Sequence, residues 1–172
     1  TISLASALPE ITQAVIIDGW SEPDFAGTPI VHLDGSAAPA GADGLWISSG
    51  GSTVRGLIIS GFDDRGISLT GGGGNTIVGN WIGTNTAGTG ADGNGTGIFI
   101  SSSGNTIGGT TTGTRNVISG NAVGNIAISG SFAVSNVISG NYIGTSADGM
   151  SAIASAGNGI TVPLLSGTDA SA

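Results

Sequence analysis

The acidic side chains of this sequence are the first candidates for chemistry, because two carboxylates can act as the acid and the base of glycoside hydrolysis. Asp63 and Asp64 form the one adjacent acidic pair, and Arg65 follows them directly. The single histidine, His32, lies far upstream and alternates with apolar neighbours, so we expect it to face solvent. The acidic pair is therefore predicted to form a solvated turn beside Arg65, and the chain is predicted not to be an enzyme.

Two loops carry the oxygen ligands that calcium accepts. Asp92 and Asn94 lie within Asp-Gly-Asn-Gly at 92–95, and Asn75 follows four glycines at 71–74. The first loop lacks the further acidic residues of an EF-hand, and the second lacks the aspartate of a calcium-binding nonapeptide. We therefore predict no cofactor, with calcium at these loops as the alternative.

Composition excludes several classes of function. The 172 residues include 11 acidic residues, three arginines and no lysine, for a net charge of -8. Nucleic acid is excluded as a partner because phosphate binding needs a basic surface. The absence of cysteine excludes disulfides, thiolate metal sites and a thiol nucleophile. No apolar run reaches the roughly 18 residues that span a bilayer, so no membrane span is predicted.

Short groups of β-branched residues, separated by turn residues, predict an all-β fold. Glycine supplies 34 of the 172 residues, and it falls with Asn, Ser and Asp between the apolar groups. No segment shows helical periodicity. The clearest strand candidates are 15–17, 57–59, 98–100, 117–118 and 137–138.

Internal repeats indicate which all-β fold this is. A strand start recurs at Leu45, Ile67, Ile98, Ile126 and Ile160, at spacings of 22, 31, 28 and 34 residues. The longer spacings contain loop insertions, so the basic unit is roughly 20–22 residues with three short strands. We predict a single-stranded right-handed parallel β-helix of about six coils, with apolar residues stacked inward and asparagine ladders at the turns.

The repeats also resemble a known group. Asn-Val-Ile-Ser-Gly-Asn at 116–121 and 136–141, and Gly-Asn-Trp/Tyr-Ile-Gly-Thr at 79–84 and 140–145, are similar to the parallel β-helix repeats of large bacterial surface and secreted proteins. The resemblance implies the pectate-lyase-like solenoid and an extracellular or cell-surface location. It does not imply an activity, because that fold carries lyases, glycosidases, adhesins and inert fibres. The basic cluster of the lyases is missing here, as are the Gly-His-Gly and Arg-x-Lys motifs of the polygalacturonases.

Outward aromatic residues and two long loops predict a recognition surface. Alternation turns Trp81 and Tyr142 outward on one sheet, and Trp46 and Phe99 outward on another, each pair two coils apart. Such rings can stack on sugars or bury against another copy of the chain. The alternative is that loops cover them.

The two long loops, at 83–96 and 144–158, follow the same motif, so we expect them on one face of the solenoid. They carry Asp92 and Asn94 in the first loop and Asp148 in the second. These three residues complete the predicted binding set.

The whole chain, 1–172, is predicted to form one β-helix domain, as an excerpt or a processed subunit of a longer protein. Neither end shows a capping helix, and Leu164 and Leu165 are expected to plug the last coil. The first hypothesis is a non-enzymatic structural or adhesive protein that self-associates end to end into an extracellular filament. The alternative is a module that binds or degrades carbohydrate.

Overall fold

The computed structural model describes residues 1–162, and the expected plug at Leu164 and Leu165 lies outside them. The chain is all-β, with 36% of residues in strands and 3% in helical turns, which confirms the predicted class. Residues 1–162 include two 3₁₀ turns, at Gly19–Ser21 and Thr112–Thr114. The strands are β1 (Ile2–Ser3), β2 (Ile16–Asp18), β3 (Val31–Asp34), β4 (Leu45–Ile47), β5 (Thr53–Arg55), β6 (Leu57–Ser60), β7 (Arg65–Leu69), β8 (Thr76–Val78), β9 (Trp81–Ile82), β10 (Thr96–Ile100), β11 (Thr106–Gly108), β12 (Val117–Ile118), β13 (Gly124–Ile128), β14 (Val137–Ser139), β15 (Tyr142–Ile143) and β16 (Asn158–Thr161).

The strands form three parallel sheets that the chain visits in turn. Sheet A has the order β1-β3-β6-β9-β12-β15, sheet B the order β4-β7-β10-β13-β16, and sheet C the order β2-β5-β8-β11-β14. From β2 onward, successive strands belong to sheets C, A and B in strict rotation. Parallel neighbours need a crossover connection, and here the other two sheets provide it. This architecture is that of a parallel β-helix.

The strand register agrees with the repeats found in the sequence. In sheet B, Leu45 pairs with Ile67, Ile67 with Ile98, Ile98 with Ile126, and Ile126 with Ile160. The five recurring strand starts therefore form one column, as the spacing predicted. Loop insertions between them lengthen the path of the chain without shifting the register.

Each sheet sends a column of aliphatic side chains into the interior. Strand alternation places every second side chain on the inner face, and parallel in-register pairing stacks similar side chains of successive coils on one another. Fully burying one such side chain contributes about 1.5–3 kcal/mol. Side chains with 0% exposure include Ile59, Ile82 and Ile118 in sheet A, Ile67, Ile98 and Ile126 in sheet B, and Val54, Ile77 and Ile107 in sheet C.

An asparagine ladder runs along each of the three corners between the sheets. In each ladder the side-chain oxygen of one asparagine accepts both the backbone N–H and the side-chain amide of the asparagine one coil before it. These bonds satisfy backbone groups that turn away from the sheets. The prediction of amide ladders at the turns is confirmed. The ladders are Asn75–Asn105–Asn136 before sheet C, Asn80–Asn116–Asn141 before sheet A, and Asn94–Asn121 before sheet B.

Glycines at the start of the sheet B strands make room for the neighbouring ladder. A Cβ on Gly66 would lie 2.8 Å from the side-chain nitrogen of Asn94, and one on Gly97 would lie 2.8 Å from that of Asn121. At the equivalent position of the following coil, Asn125 instead accepts the amide of Asn121 at 2.9 Å. Gly66 and Gly97 are therefore required by close packing against the ladder of the following coil.

Identical sequence strings do not always occupy the same sheet. The string at 116–121 contains β12 of sheet A, whereas the same string at 136–141 contains β14 of sheet C. In both places it forms an asparagine corner, a short strand and the next asparagine corner. The string therefore specifies a strand between two corners and not a particular sheet.

Across residues 1–162, no helix has the length and apolar character needed to cross a bilayer.

Candidate functional site

The outer face of sheet A carries Trp81 and Tyr142, which pair with Val117 from opposite sides. They therefore lie two strands apart, as predicted. The loops that follow them fold back over the rings: a Cβ on Gly88 would meet the Trp81 ring at 2.7 Å, and one on Gly149 would meet the Tyr142 ring at 2.7 Å. Both rings are half-buried as a result.

The two long loops lie on one face of the molecule, as predicted, and they touch each other. Each is closed by an antiparallel bridge, Thr84 with Ala91 in the first loop and Thr145 with Ala152 in the second. The Ala147 N–H donates to the Gly88 carbonyl at 2.9 Å. The loops therefore form one continuous cover over sheet A.

The polar residues predicted in these loops make local hydrogen bonds. Asp148 accepts the hydroxyl of Ser146 and the Met150 N–H, and these bonds lower the pKa of its carboxyl. Asn94 is 1% exposed and belongs to the ladder before sheet B. Asp92 is exposed and accepts the Ser60 hydroxyl at 2.8 Å.

The prediction that His32 faces solvent is wrong, because its side chain is 7% exposed. Alternation places it on the outer face of sheet A, but Ser60 of the next strand and Thr1 of the preceding segment enclose it. Its Nε2 lies 2.7 Å from Ser60 Oγ and its Nδ1 lies 3.4 Å from Thr1 Oγ1. Since the Ser60 proton is donated to Asp92, Nε2 must be the donor to Ser60. In this arrangement the ring N–H of His32 and the carboxylate of Asp92 hold the Ser60 hydroxyl between them.

A small groove on sheet A, about 270 Å³ in volume, is lined by Trp20, Trp81, Tyr142 and Arg115. The Arg115 guanidinium lies 4.1 Å from the Tyr142 ring centroid, and its Nε donates to the Gly140 carbonyl at 2.8 Å. Trp81 and Tyr142 therefore meet here, with much of their ring surface already in contact with protein.

The outer face of sheet B presents a larger groove, about 440 Å³ in volume, beside Trp46. Trp46, Ser68 and Phe99 are consecutive in register on this face. Trp46 is 44% exposed, and its indole N–H donates to Thr70 Oγ1 at 2.9 Å. Arg65 lies over Phe99, with 4.4 Å from the guanidinium carbon to the ring centroid. Among the three residues in this row, Trp46 is therefore the one whose aromatic ring is open to solvent.

Carboxylates cluster around Arg65 at the edge of this sheet B groove. Its Nη1 lies 3.3 Å from Asp64 Oδ2 and 3.7 Å from Asp43 Oδ2, so those two oxygens are at most about 7 Å apart. The Arg65 N–H also donates to Asp43 Oδ1 at 3.0 Å. Burial raises the pKa of the Asp43 carboxyl. The expected turn beside Arg65 is present at Asp63 and Asp64, with Asp43 of the preceding coil added to it.

Asp43, Arg65 and Ser68 were not identified as site residues from the sequence, although the repeat contains the signal for two of them. Gly44-Leu45 and Gly66-Ile67 are successive repeat starts. Aligning them places Asp43 beside Arg65. Burial of Ser68 depends on which side chains lie over sheet B, and the repeat carries no information on that.

Among residues 1–162, no group of three or more His, Cys, Asp or Glu side chains is placed to hold a metal ion. Asn75 and Asn94, the amides of the two loops considered for calcium, both belong to ladders. Their side chains are therefore engaged in holding coils together.

Comparison of the chain with family models, with curated proteins and with solved structures finds no match.

Proposed function

We propose that this chain is a non-enzymatic adhesive β-helix of the cell surface or extracellular space that binds carbohydrate through the sheet B groove. The observation that carries the proposal is Trp46, an aromatic ring 44% exposed beside a groove of about 440 Å³. We further propose a right-handed path of about six coils. The six strands of sheet A support the coil count, and the strong right-handed preference of parallel crossovers supports the handedness.

A sugar ring has an apolar face and a polar rim, and Trp46 has suitable neighbours for both. The indole offers a flat apolar surface, while carboxylate and hydroxyl groups lie around the groove. The hydrogen bond from the indole to Thr70 holds the ring in place before any ligand arrives. A fixed ring loses less entropy on binding than a mobile one, so this bond favours affinity.

The outer face of sheet B offers one position where a sugar ring can stack on an aromatic side chain. The spacing of parallel strands is about 4.8 Å, so Phe99 lies about 10 Å from Trp46 along the helix axis. Arg65 already covers Phe99. We therefore expect a short binding site centred on Trp46, in which a glycan running along this face contacts polar groups beyond the first sugar.

Titration with neutral and acidic oligosaccharides, followed by calorimetry, tests the proposal. Trp46→Ala should weaken binding about tenfold or more, and Trp46→Phe should restore most of it. Phe132→Ala is the matched control, since Phe132 is an aromatic residue that is 82% exposed elsewhere on the surface. Absence of binding to every oligosaccharide, or equal losses in Trp46→Ala and Phe132→Ala, would refute the proposal.

End-to-end self-association is a second proposal, supported by the outermost strands. Within residues 1–162, β1 and β2 lie at one edge of their sheets, and β14, β15 and β16 lie at the other. Unpaired strand edges with apolar side chains template association. The exposed apolar residues on these strands are Ile2 at 50%, Ile16 at 70%, Val137 at 54% and Ile160 at 44%.

Electron microscopy and sedimentation velocity of this chain at high concentration test the second proposal. Filaments or concentration-dependent oligomers are expected, and Ile16→Lys should shift the distribution toward monomer. A monodisperse monomer at the highest concentration would refute self-association.

A further inference from the structure

The charges of the sheet B groove are unevenly balanced. Glu10, Asp43, Asp64 and Arg65 line it, which is three acidic groups against one basic group. Arg65 is engaged by both aspartates through Nη1, and its guanidinium lies over Phe99. A ligand in this groove therefore meets excess negative charge and an arginine that is already neutralised.

Hydrogen-bond acceptors line the groove beside Trp46. Ser68 is 1% exposed and lies between Trp46 and Phe99, where its hydroxyl interacts with the Asp43 carboxyl. The carboxylates of Asp43 and Asp64 are the groove's acceptors for ligand hydroxyls, because an ionised carboxylate only accepts hydrogen bonds.

We propose that the sheet B groove selects an uncharged, hydroxyl-rich glycan and rejects glycans built from uronic acids. This inference rests on the proposed carbohydrate binding at Trp46. A neutral sugar stacks on the indole and donates hydroxyl hydrogen bonds to Asp43 and Asp64. A uronate would bring its own carboxylate among groove carboxylates, with no unpaired cation to receive it.

Of the other two arginines, Arg55 is paired with Asp18, and Arg115 lies on sheet A. Arg115 makes no ion pair with a carboxylate within residues 1–162, and it lies on Tyr142 in the sheet A groove. Arg115 therefore offers a separate binding site for an acidic ligand. An experiment on charge selectivity has to distinguish the two grooves.

The test compares neutral hexose tetrasaccharides with uronic-acid tetrasaccharides of matching linkage, by calorimetry at low and high salt. Neutral ligands should bind at least about tenfold more tightly at low salt, equivalent to a difference of about 1.4 kcal/mol. The difference should narrow at high salt, because added ions screen repulsion. Asp64→Asn should raise uronate affinity, whereas Asp24→Asn, at an exposed carboxylate outside the groove, should leave it unchanged.

The possible outcomes distinguish carbohydrate binding at Trp46 from the selectivity of that binding. Preference for neutral ligands that is lost in Trp46→Ala supports both the site and its selectivity. Equal or tighter uronate binding at Trp46 overturns the selectivity and leaves carbohydrate binding standing. Uronate binding that is lost in Arg115→Gln but retained in Trp46→Ala also overturns the inference, because it moves recognition to the sheet A groove. No binding of either ligand class overturns both proposals.

Discussion

The asparagine ladder before sheet A offers a direct measurement of what holds neighbouring coils together. Asn116 is its central member and is 0% exposed. Its side-chain amide donates to the Ile77 carbonyl at 2.8 Å and to Asn141 Oδ1 at 2.9 Å. Its Oδ1 accepts the Asn80 N–H at 2.9 Å and the Asn80 side-chain amide at 3.1 Å. One side chain thus links three successive coils with four hydrogen bonds.

Asn116→Ala removes all four bonds. The net contribution of a hydrogen bond to stability is about 0.5–1.5 kcal/mol, so we expect the free energy of unfolding to fall by about 4 kcal/mol. Asn158→Ala is the matched control, because Asn158 is exposed and makes one long side-chain bond, to Thr161 at 3.4 Å. That control should cost less than about 0.5 kcal/mol.

Urea unfolding followed by far-ultraviolet circular dichroism measures both variants. Since strand pairing and the asparagine ladders join each coil to its neighbours, hydrogen exchange should also become faster first in the coils around the substitution. If Asn116→Ala costs no more than Asn158→Ala, the ladder does not stabilise the stack and the reasoning fails.

Asn116→Asp separates hydrogen bonding from side-chain size. The carboxylate keeps the acceptor oxygen but faces the Ile77 carbonyl and Asn141 Oδ1 without a donor. Burial raises the pKa of the introduced carboxyl, so the folded variant binds its proton more tightly than the unfolded chain does. The variant should therefore gain stability relative to the natural chain as pH falls from 7 toward 4. A stability difference independent of pH would contradict a dry, hydrogen-bonded corner.

Three further predictions address packing and charge. Gly97→Ala should overpack its corner, lowering the free energy of unfolding by about 1–3 kcal/mol and with it the melting temperature. Gly113→Ala, where a Cβ would meet open space, should leave the melting temperature unchanged in the same thermal melt. Ile118→Ala should lower the free energy of unfolding in urea by about 2–5 kcal/mol, because Ile118 is 0% exposed and its truncation leaves a cavity. The hydrogen bond from Arg55 at 2.6 Å lowers the pKa of the Asp18 carboxyl. The stabilising effect of this bond is therefore present above about pH 4 and is lost as pH falls through the lowered pKa. An NMR titration should show the pKa of Asp18 returning toward its ordinary value in Arg55→Gln.

The fold was predictable because the repeat carries both packing and register. Aligned strand starts such as Ile67 and Ile98 stack on each other in the structure. The pattern of apolar residues and glycines reflects the needs of every coil, and so it survives loop insertions. The sheet that contains the string at 136–141 could not be predicted from the sequence, because the corners before sheets A and C use the same asparagine geometry.

The candidate site was less predictable, because exposure depends on contacts between distant segments. Alternation correctly placed Trp46 and Trp81 on outer faces, but it contains no information on what covers them. Trp81 is covered by the tip of its own loop at Gly88, and His32 is enclosed by Ser60 and Thr1. Covering of this kind comes from where loops fold, which a period-2 pattern does not encode.

Arginine placement explains why Trp46 has no cation over its ring. Each of the three arginines lies over an aromatic ring, at 4.8 Å over Trp20, 4.4 Å over Phe99 and 4.1 Å over Tyr142. With three cations in the whole chain, none is left for Trp46, whose indole is instead fixed at its edge by Thr70. At the proposed binding site, an anionic ligand would be repelled by the surrounding carboxylates. The scarcity of basic residues that argues against nucleic acid therefore also argues against an acidic glycan at the site proposed around Trp46.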